Sequence, residues 1–210
     1  MSIVKNSGST TIGIDRFVYA IMTSDTAEGA VYGDSVEISG LNKVSVTQNA
    51  QSAEYYGDNG AYESASSYGK SAITVSIADI PHEDLAALTG ESYDAETGVF
   101  KFSGVGQPPY SAIMYRRTKA NGSYRYIKIL KTKANMPNTE NTTKADSPTL
   151  QGTDIEFSGI NRVFDGVKEI RVDSDDANFP VDAGDAEAMA EFEENWFSDP
   201  NYVPVKSVGA

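Results

Sequence analysis

The only histidine in this chain, His82, is followed directly by Glu83 and Asp84. An imidazole beside carboxylates is the raw material of general acid–base catalysis and of metal binding. The spacing works against both here, because helix neighbours at i+1 and i+2 do not face one another. A solvated first-turn histidine is the expectation. The run "GDSV" at 33–36 places Ser35 in a hydrolase-like block, but no histidine follows residue 82, so a Ser35 triad has no base. "GVGQPP" lacks the third glycine of a dinucleotide fingerprint, and no phosphate-cradling G-x-x-x-x-G-K-[ST] is present. "DSDDAN" from Asp173 opens like a calcium loop and then leaves register, with Ala177 fifth, Asn178 in the glycine position and Gly184 in place of the bidentate glutamate. No catalytic residue, metal site or cofactor is assigned.

One further cluster carries chemistry. Between 115 and 133 stand Arg116, Arg117, Lys119, Arg125, Lys128, Lys131 and Lys133, interleaved with Tyr115, Tyr124 and Tyr126. Basic and aromatic residues on a β-ribbon suit nucleic acid. The charge balance favours a protein partner instead. The net charge is −13, and residues 173–200 hold ten acids with no Lys or Arg. The remaining 20 acids and 17 bases contribute only −3. An acidic chain is poorly suited to counterion-release binding of DNA. The basic stretch is therefore expected to meet the acidic segment of the same or an adjacent subunit.

Composition bounds the elements that must position these residues. A chain of 210 residues with 18 glycines, 12 tyrosines and few stretches of helical period is mainly β and long enough to bury a real core. There is no cysteine, hence no disulfide framework or thiolate chemistry. No apolar run approaches the roughly 18 residues that cross a bilayer, and the first residues lack a charged-then-apolar layout. A soluble chain made in a cytoplasm, with no membrane partner, is expected. Neither a repeat nor a linker divides it, so 1–210 reads as a single domain.

Phe17–Met22 is apolar on both faces, as in a central strand. The stretch 41–78 reads as one long hairpin turning at Asn59-Gly60. Its base alternates (Val44 and Val46; Ile73, Val75 and Ile77), while its far end is small and polar on both faces. An arm that buries so little makes sense if other chains complete it. A helix is predicted over 79–90, capped by Asp79 or Ile80, with Pro81 in its first turn and Gly90 at its end. Asn121-Gly122 predicts a two-residue hairpin loop facing Lys119 with Tyr124, Arg117 with Tyr126 and Met114 with Ile129; Asp165-Gly166 predicts another, facing Arg162 with Glu169. Residues 134–149 are a polar connection, and 182–197 suits a helix with Met189, Phe192 and Trp196 on one stripe.

Several short motifs follow one another in order: "EYYGDNGAYES", "AITVSIADIPHEDLAALTGESYDAETG", "PPYSAIMYRRTKANGSYRYIKILKTKANMPNTENTTK" and a terminal "WF". Together they resemble the major tail tube proteins of long-tailed, non-contractile (siphovirus-like) bacteriophages, over roughly residues 40–200. The resemblance implies a tail-tube-type β-sandwich or barrel with a long protruding hairpin, one short flanking helix and a C-terminal helix. It implies homohexameric rings stacking into a tube within the virion tail, assembled in the host cytoplasm. Tape measure, distal tail and tail terminator proteins would be partners, and DNA would pass through without specific binding. Four strands from each of six subunits, ~4.8 Å apart, would give a backbone diameter of about 37 Å before tilt. A polar lumen and intersubunit hairpin would then use Gln48, Asn49, Gln51, Ser52, Glu54, Tyr55, Tyr56, Asn59, Gly60, Tyr62, Glu63, Ser64, Ser66 and Ser67. Arg116, Arg117, Lys119, Arg125 and Lys128 would form an intersubunit basic face, and the 134–149 loop would reach the next ring. A contractile sheath partner stays open. The alternative is a monomeric β-sandwich binding module, for example for carbohydrate, using tyrosines as stacking platforms.

Overall fold

The computed structural model describes residues 8–57, 60–138 and 152–205; at 56, 57, 61 and 62 only the backbone is described. Ten strands and two helices follow in the order β1 (Thr11–Asp25), β2 (Ala30–Ile38), β3 (Leu41–Gly57), β4 (Gly60–Ile77), α1 (His82–Thr89), β5 (Ser92–Asp94), β6 (Val99–Lys101), β7 (Tyr110–Lys119), β8 (Tyr124–Ala134), β9 (Thr153–Gly159), β10 (Glu169–Asp173) and α2 (Ala186–Ser198). One antiparallel sheet runs β2-β1-β7-β8-β9-β4-β3, with β10 added to β8; β5 and β6 pair separately. The fold is mainly β, with the long hairpin, the short helix and the C-terminal helix that the sequence implies.

Period-2 alternation divides the central strands between two cores. On the concave side of the curled sheet, Phe17, Tyr19, Ile113, Tyr115, Ile127, Ile129, Ile155 and Phe157 join Ile73, Val75 and Ile77 of β4 and Leu88 of α1. On the other side, Val18, Met114 and Tyr126 receive Phe192, Trp196 and Phe197 of α2. Being buried on both faces is what Phe17–Met22 needed. Tyr126 meets Phe192 edge-on at 5.0 Å between ring centroids. Asp185 caps α2, its carboxylate accepting from the Glu187 and Ala188 N–H groups. On the concave side the Tyr19 hydroxyl donates to Asp84 at 2.7 Å, tying α1 to β1.

Three local expectations need correction. The α1 cap is Pro81, which keeps an extended ψ of 140°, so the helix starts one residue beyond it; Asp79 bonds only to the Ile80 N–H. The turn at Asn121-Gly122 is longer than two residues: Lys119 N–H donates to Ser123 O, and Gly122 takes φ +82°. The register moves by one, pairing Thr118 with Tyr124, Arg117 with Arg125, Arg116 with Tyr126 and Met114 with Lys128. At Asp165-Gly166 the chain does turn, with Gly166 at φ +68° and the Arg162 N–H donating to Val167 O, but the flanking strands do not pair with each other. β9 pairs with β4 and β8, and β10 pairs with β8, while Arg162 binds Asp165 at 2.5 Å instead of facing Glu169. A three-residue reach to a local carboxylate wins over a cross-strand one.

β3 and β4 outrun the sheet. Val44 opposes Val75 and Val46 opposes Ile73 at the base, but β9 stops pairing at Ser71, opposite Gln48. There β4 bulges, with Gly69 and Lys70 opposite Asn49, and the hairpin continues as a two-stranded ribbon. Thr47–Tyr55 and Glu63–Lys70 are exposed throughout. Nine residues at ~3.3 Å each give a projection of about 30 Å. Phe157→Ala is expected to lower the unfolding free energy by about 3–5 kcal/mol in urea titration, while Ser52→Ala stays within about 0.5 kcal/mol.

Candidate assembly site

Alternation assigns the ribbon residues to two faces. Ala50, Ser52 and Glu54, opposite Tyr68, Ser66 and Ser64, continue the side of the sheet that buries the main core. Asn49, Gln51, Ala53 and Tyr55, with Ser67, Ala65 and Glu63, continue the outward side. That outward side extends across the body through Ser45, Thr47, Thr74 and Ser76 to Asp154, Glu156 and Ser158 of β9. It carries small and acidic groups, with lysines only at Lys43 and the bulge residue Lys70. Gln48, the last residue on the core side of the base, anchors the arm: its carbonyl accepts from Ser71 Oγ at 2.6 Å, and its amide approaches Glu169 at 3.4 Å. Lys168 Nζ donates to Gly69 O at 2.7 Å. Gly60 pairs with Gly57 at the ribbon end. Tyr56 and Tyr62 lie in the strands, but their side chains, like Asn59, lie outside the described residues. Most of the 134–149 loop does too.

The basic stretch is engaged within the chain. Arg116 makes a bidentate pair with Asp15 (2.9 and 2.7 Å) and reaches Glu193 of α2 at 2.6 Å, while the Tyr126 hydroxyl donates to the same Glu193 oxygen. Arg125 is bidentate to Asp173 (2.6 and 2.7 Å), and Lys119 binds Asp173 and Asp175. These partners set the titration of the acids. Arg125 holds the Asp173 carboxyl below the usual range, and Lys119 draws Asp175 down to about 2. Of the partners left open by the sequence, the same chain supplies the acids for Arg116, Lys119 and Arg125. Arg117 stands apart, lining a groove beside Ile14, Lys43 and Arg171.

Lys128 is fully buried beneath the C-terminal segment. Its ammonium donates to Asp199 O at 2.7 Å and Tyr202 O at 2.9 Å, and it lies 4.3 Å from the Trp196 ring centroid. The sequence offered no sign of this cage, because carbonyl acceptors carry no residue identity. It also gave no sign of Arg16, which takes φ +55° at a bulge in β1, binds Glu37 and Glu193, and lies over Phe197. Nor did it point to the nearly buried Lys131–Asp25 pair at 2.6 Å, where Asp25 also accepts from the Val163 and Phe164 N–H groups. Lone charged residues in a β pattern mark such pairs only when both partners are already placed.

The residues first weighed for catalysis are not gathered into a constellation. His82 is exposed, its ring 5.8 Å from that of Phe100. Asp84 turns to Tyr19, and Ser35 Oγ donates to Ser198 O. Among the described residues no group of three His, Asp or Glu side chains is placed to hold a metal ion. No helix among them is long and apolar enough to cross a membrane.

No family model and no curated protein sequence matches the chain. Among solved structures, the chain is similar to one described as the cryo-EM structure of the anti-feeding prophage cap (AFP tube terminating cap). That chain is 13% identical, the match covers 82% of this chain and 95% of the other, and the TM-score is 0.44, a level at which the likeness carries no functional conclusion.

Burial strips water from the Lys128 ammonium and brings its pKa from the ordinary 10.5 to about 7. The unfolded chain keeps that proton up to about pH 10, so between about pH 7 and 10 it binds more protons than the folded chain and stability rises with pH. Lys128→Met is expected to flatten this rise in the urea midpoint between about pH 7 and 9.5. An unchanged slope would show that the amine keeps its proton in the fold.

Proposed function

We propose that this chain is a self-assembling structural protein of a phage-type tail tube, in which copies complete one another's arms around a polar, DNA-conducting lumen. The observation that carries this reading is the solvated ribbon Thr47–Tyr55/Glu63–Lys70. It is two strands wide, and neither face lies on a core. A lone two-stranded ribbon is marginal in water, because ordering it costs conformational entropy with almost no apolar burial to offset that cost. Its open strand edges are ready templates for pairing with another chain. Side-by-side copies would convert both liabilities into intersubunit ladders.

The outward face suits a conduit. DNA must slide without being held, so its wall should lack the Lys/Arg contacts that release counterions. Gln51, Ser67, Glu63, Asp154 and Glu156 meet that requirement, and most cations of the body are bound internally. Hexameric rings, their stacking, the tail proteins at either end and the virion location belong to this proposal through the family resemblance. The role proposed is structural and not catalytic. The carbohydrate-binding alternative gains nothing from the arm: Tyr55 and Tyr68, both exposed, point to opposite faces and form no shared stacking platform.

Purified protein viewed by negative-stain microscopy over a range of concentrations is expected to show rings or tubes, whereas a monomer at every concentration and salt overturns assembly. Gln51→Lys with Ser67→Lys, both on the outward face, is expected to leave the unfolding free energy within about 0.5 kcal/mol of wild type and to slow DNA ejection from assembled particles. Unchanged ejection would remove these residues from the lumen.

A further inference from the structure

A second surface is built for contact. Phe102 and Val105 are 61% and 77% exposed at the tip of the loop that follows β6. That loop is held in one shape by a carboxylate: Glu91 accepts from Ser103 N–H (2.9 Å), Ser103 Oγ (2.8 Å), Gly104 N–H (3.2 Å) and Gly106 N–H (3.2 Å). A Cβ at Gly106 would fall 2.7 Å from Glu91 Oε1, so the close wrap requires glycine there. Holding two apolar side chains in water on an ordered loop has no folding benefit. It is the arrangement of a preorganised anchor.

A receptor for such an anchor is present on the same molecule. β1 begins pairing with β2 only at Phe17, and β3 pairs with β4 alone, so residues 11–14 and 41–46 face each other across an open groove of about 510 Å³. Ile14, Leu41, Val44 and Tyr115 give it an apolar lining, and Lys43 and Arg117 give it positive charge, while Arg171 at the same groove is paired with Glu169. Arg117 has no salt bridge among the described residues. The tip's own lobe has the opposite charge, with Asp79, Glu83, Asp94 and Glu96 set against Lys101. Apolar anchor meets apolar groove, and acidic lobe meets basic rim.

We infer that the Phe102–Val105 tip of one copy docks in the β1/β3 groove of a second copy. The contact is heterologous, so each chain both gives and receives, and assembly continues until a ring closes or a stack grows. This inference rests on the self-assembly reading and adds one specific joint to it.

The absence of native cysteine makes the joint directly testable. Lys101→Cys, beside the intact Phe102 anchor, together with Ile12→Cys, at the rim of the groove, places one thiol on each side of the contact. Mild oxidation of the double variant is expected to give a ladder of covalent oligomers in a denaturing gel, while each single variant gives at most dimers. Separately, Phe102→Glu is expected to raise the concentration for half-assembly by about tenfold or more with an unchanged circular dichroism spectrum. If wild-type chains assemble but the double variant gives no ladder and Phe102→Glu assembles normally, the joint is overturned and self-assembly stands. If wild-type chains stay monomeric under all conditions, self-assembly and the joint are both overturned.

Discussion

Backbone hydrogen bonding along β3 and β4 is the constraint around which the molecule is arranged. β4 has 18 residues, and β9 covers only seven of them, Ser71 through Ile77. Within that span β4 lies inside the sheet, and its alternating Ile73, Val75 and Ile77 close the main core. Beyond it the outer edge of β4 has no strand beside it in the sheet, so its free N–H and C=O groups depend on water, side chains such as Lys168, or another chain. The transition is abrupt because it coincides with a bulge and with three polar anchors, Ser71, Glu169 and Lys168, which clamp the ribbon where its support ends. The arm therefore leaves the body at a fixed point even though little of it is buried.

Electrostatics divide the molecule along the same line. The C-terminal acids are drawn onto one side of the body by Arg16, Arg116, Lys119 and Arg125, which neutralise them while fixing α2 over Tyr126 and Met114. Ion pairs with side chains as sheltered as Arg116 or Lys119 are weak sources of net stability, since desolvation offsets much of the attraction. Their consequence is positional. With those cations bound to α2 and its approach loop, the β3-β4-β9 outward face is left mainly to hydroxyls, amides and the carboxylates of Glu63, Asp154 and Glu156, with Lys43 and Lys70 as its lysines.

Much of this was legible in the sequence because period and punctuation are local. The both-faces apolar run at Phe17–Met22 announced a central strand, the loss of alternation after Val46 announced a solvated arm, and the Phe192/Trp196 stripe announced a docked helix. Register was not legible. Asn121-Gly122 is compatible with two-residue and longer loops, and the choice is made by Asn121 Oδ1 accepting from Ser123 N–H and Oγ, which lengthens the turn and slides β7 against β8 by one residue. Asp165-Gly166 failed for a related reason: the Arg162–Asp165 pair closes a tight local turn while β9 and β10 are both claimed by β8. The basic stretch was seen as a surface, yet burial of Lys128 depends on carbonyls 71 and 74 residues away.

These features bear on the kind of assembly the chain can form. An isologous dimer buries one patch against itself and then stops. The arm has a free edge along β3 and, past Ser71, another along β4, and the two edges are different surfaces. Pairing one with the other repeats head to tail, as does seating an acidic, apolar-tipped lobe in a basic groove. The two proposed surface pairs, edge to edge and tip to groove, share one symmetry requirement, a rotation or translation relating identical copies. On the proposed self-assembly, pairing of the β3 edge with the β4 edge and seating of the tip in the groove would each lead to closed rings or open stacks.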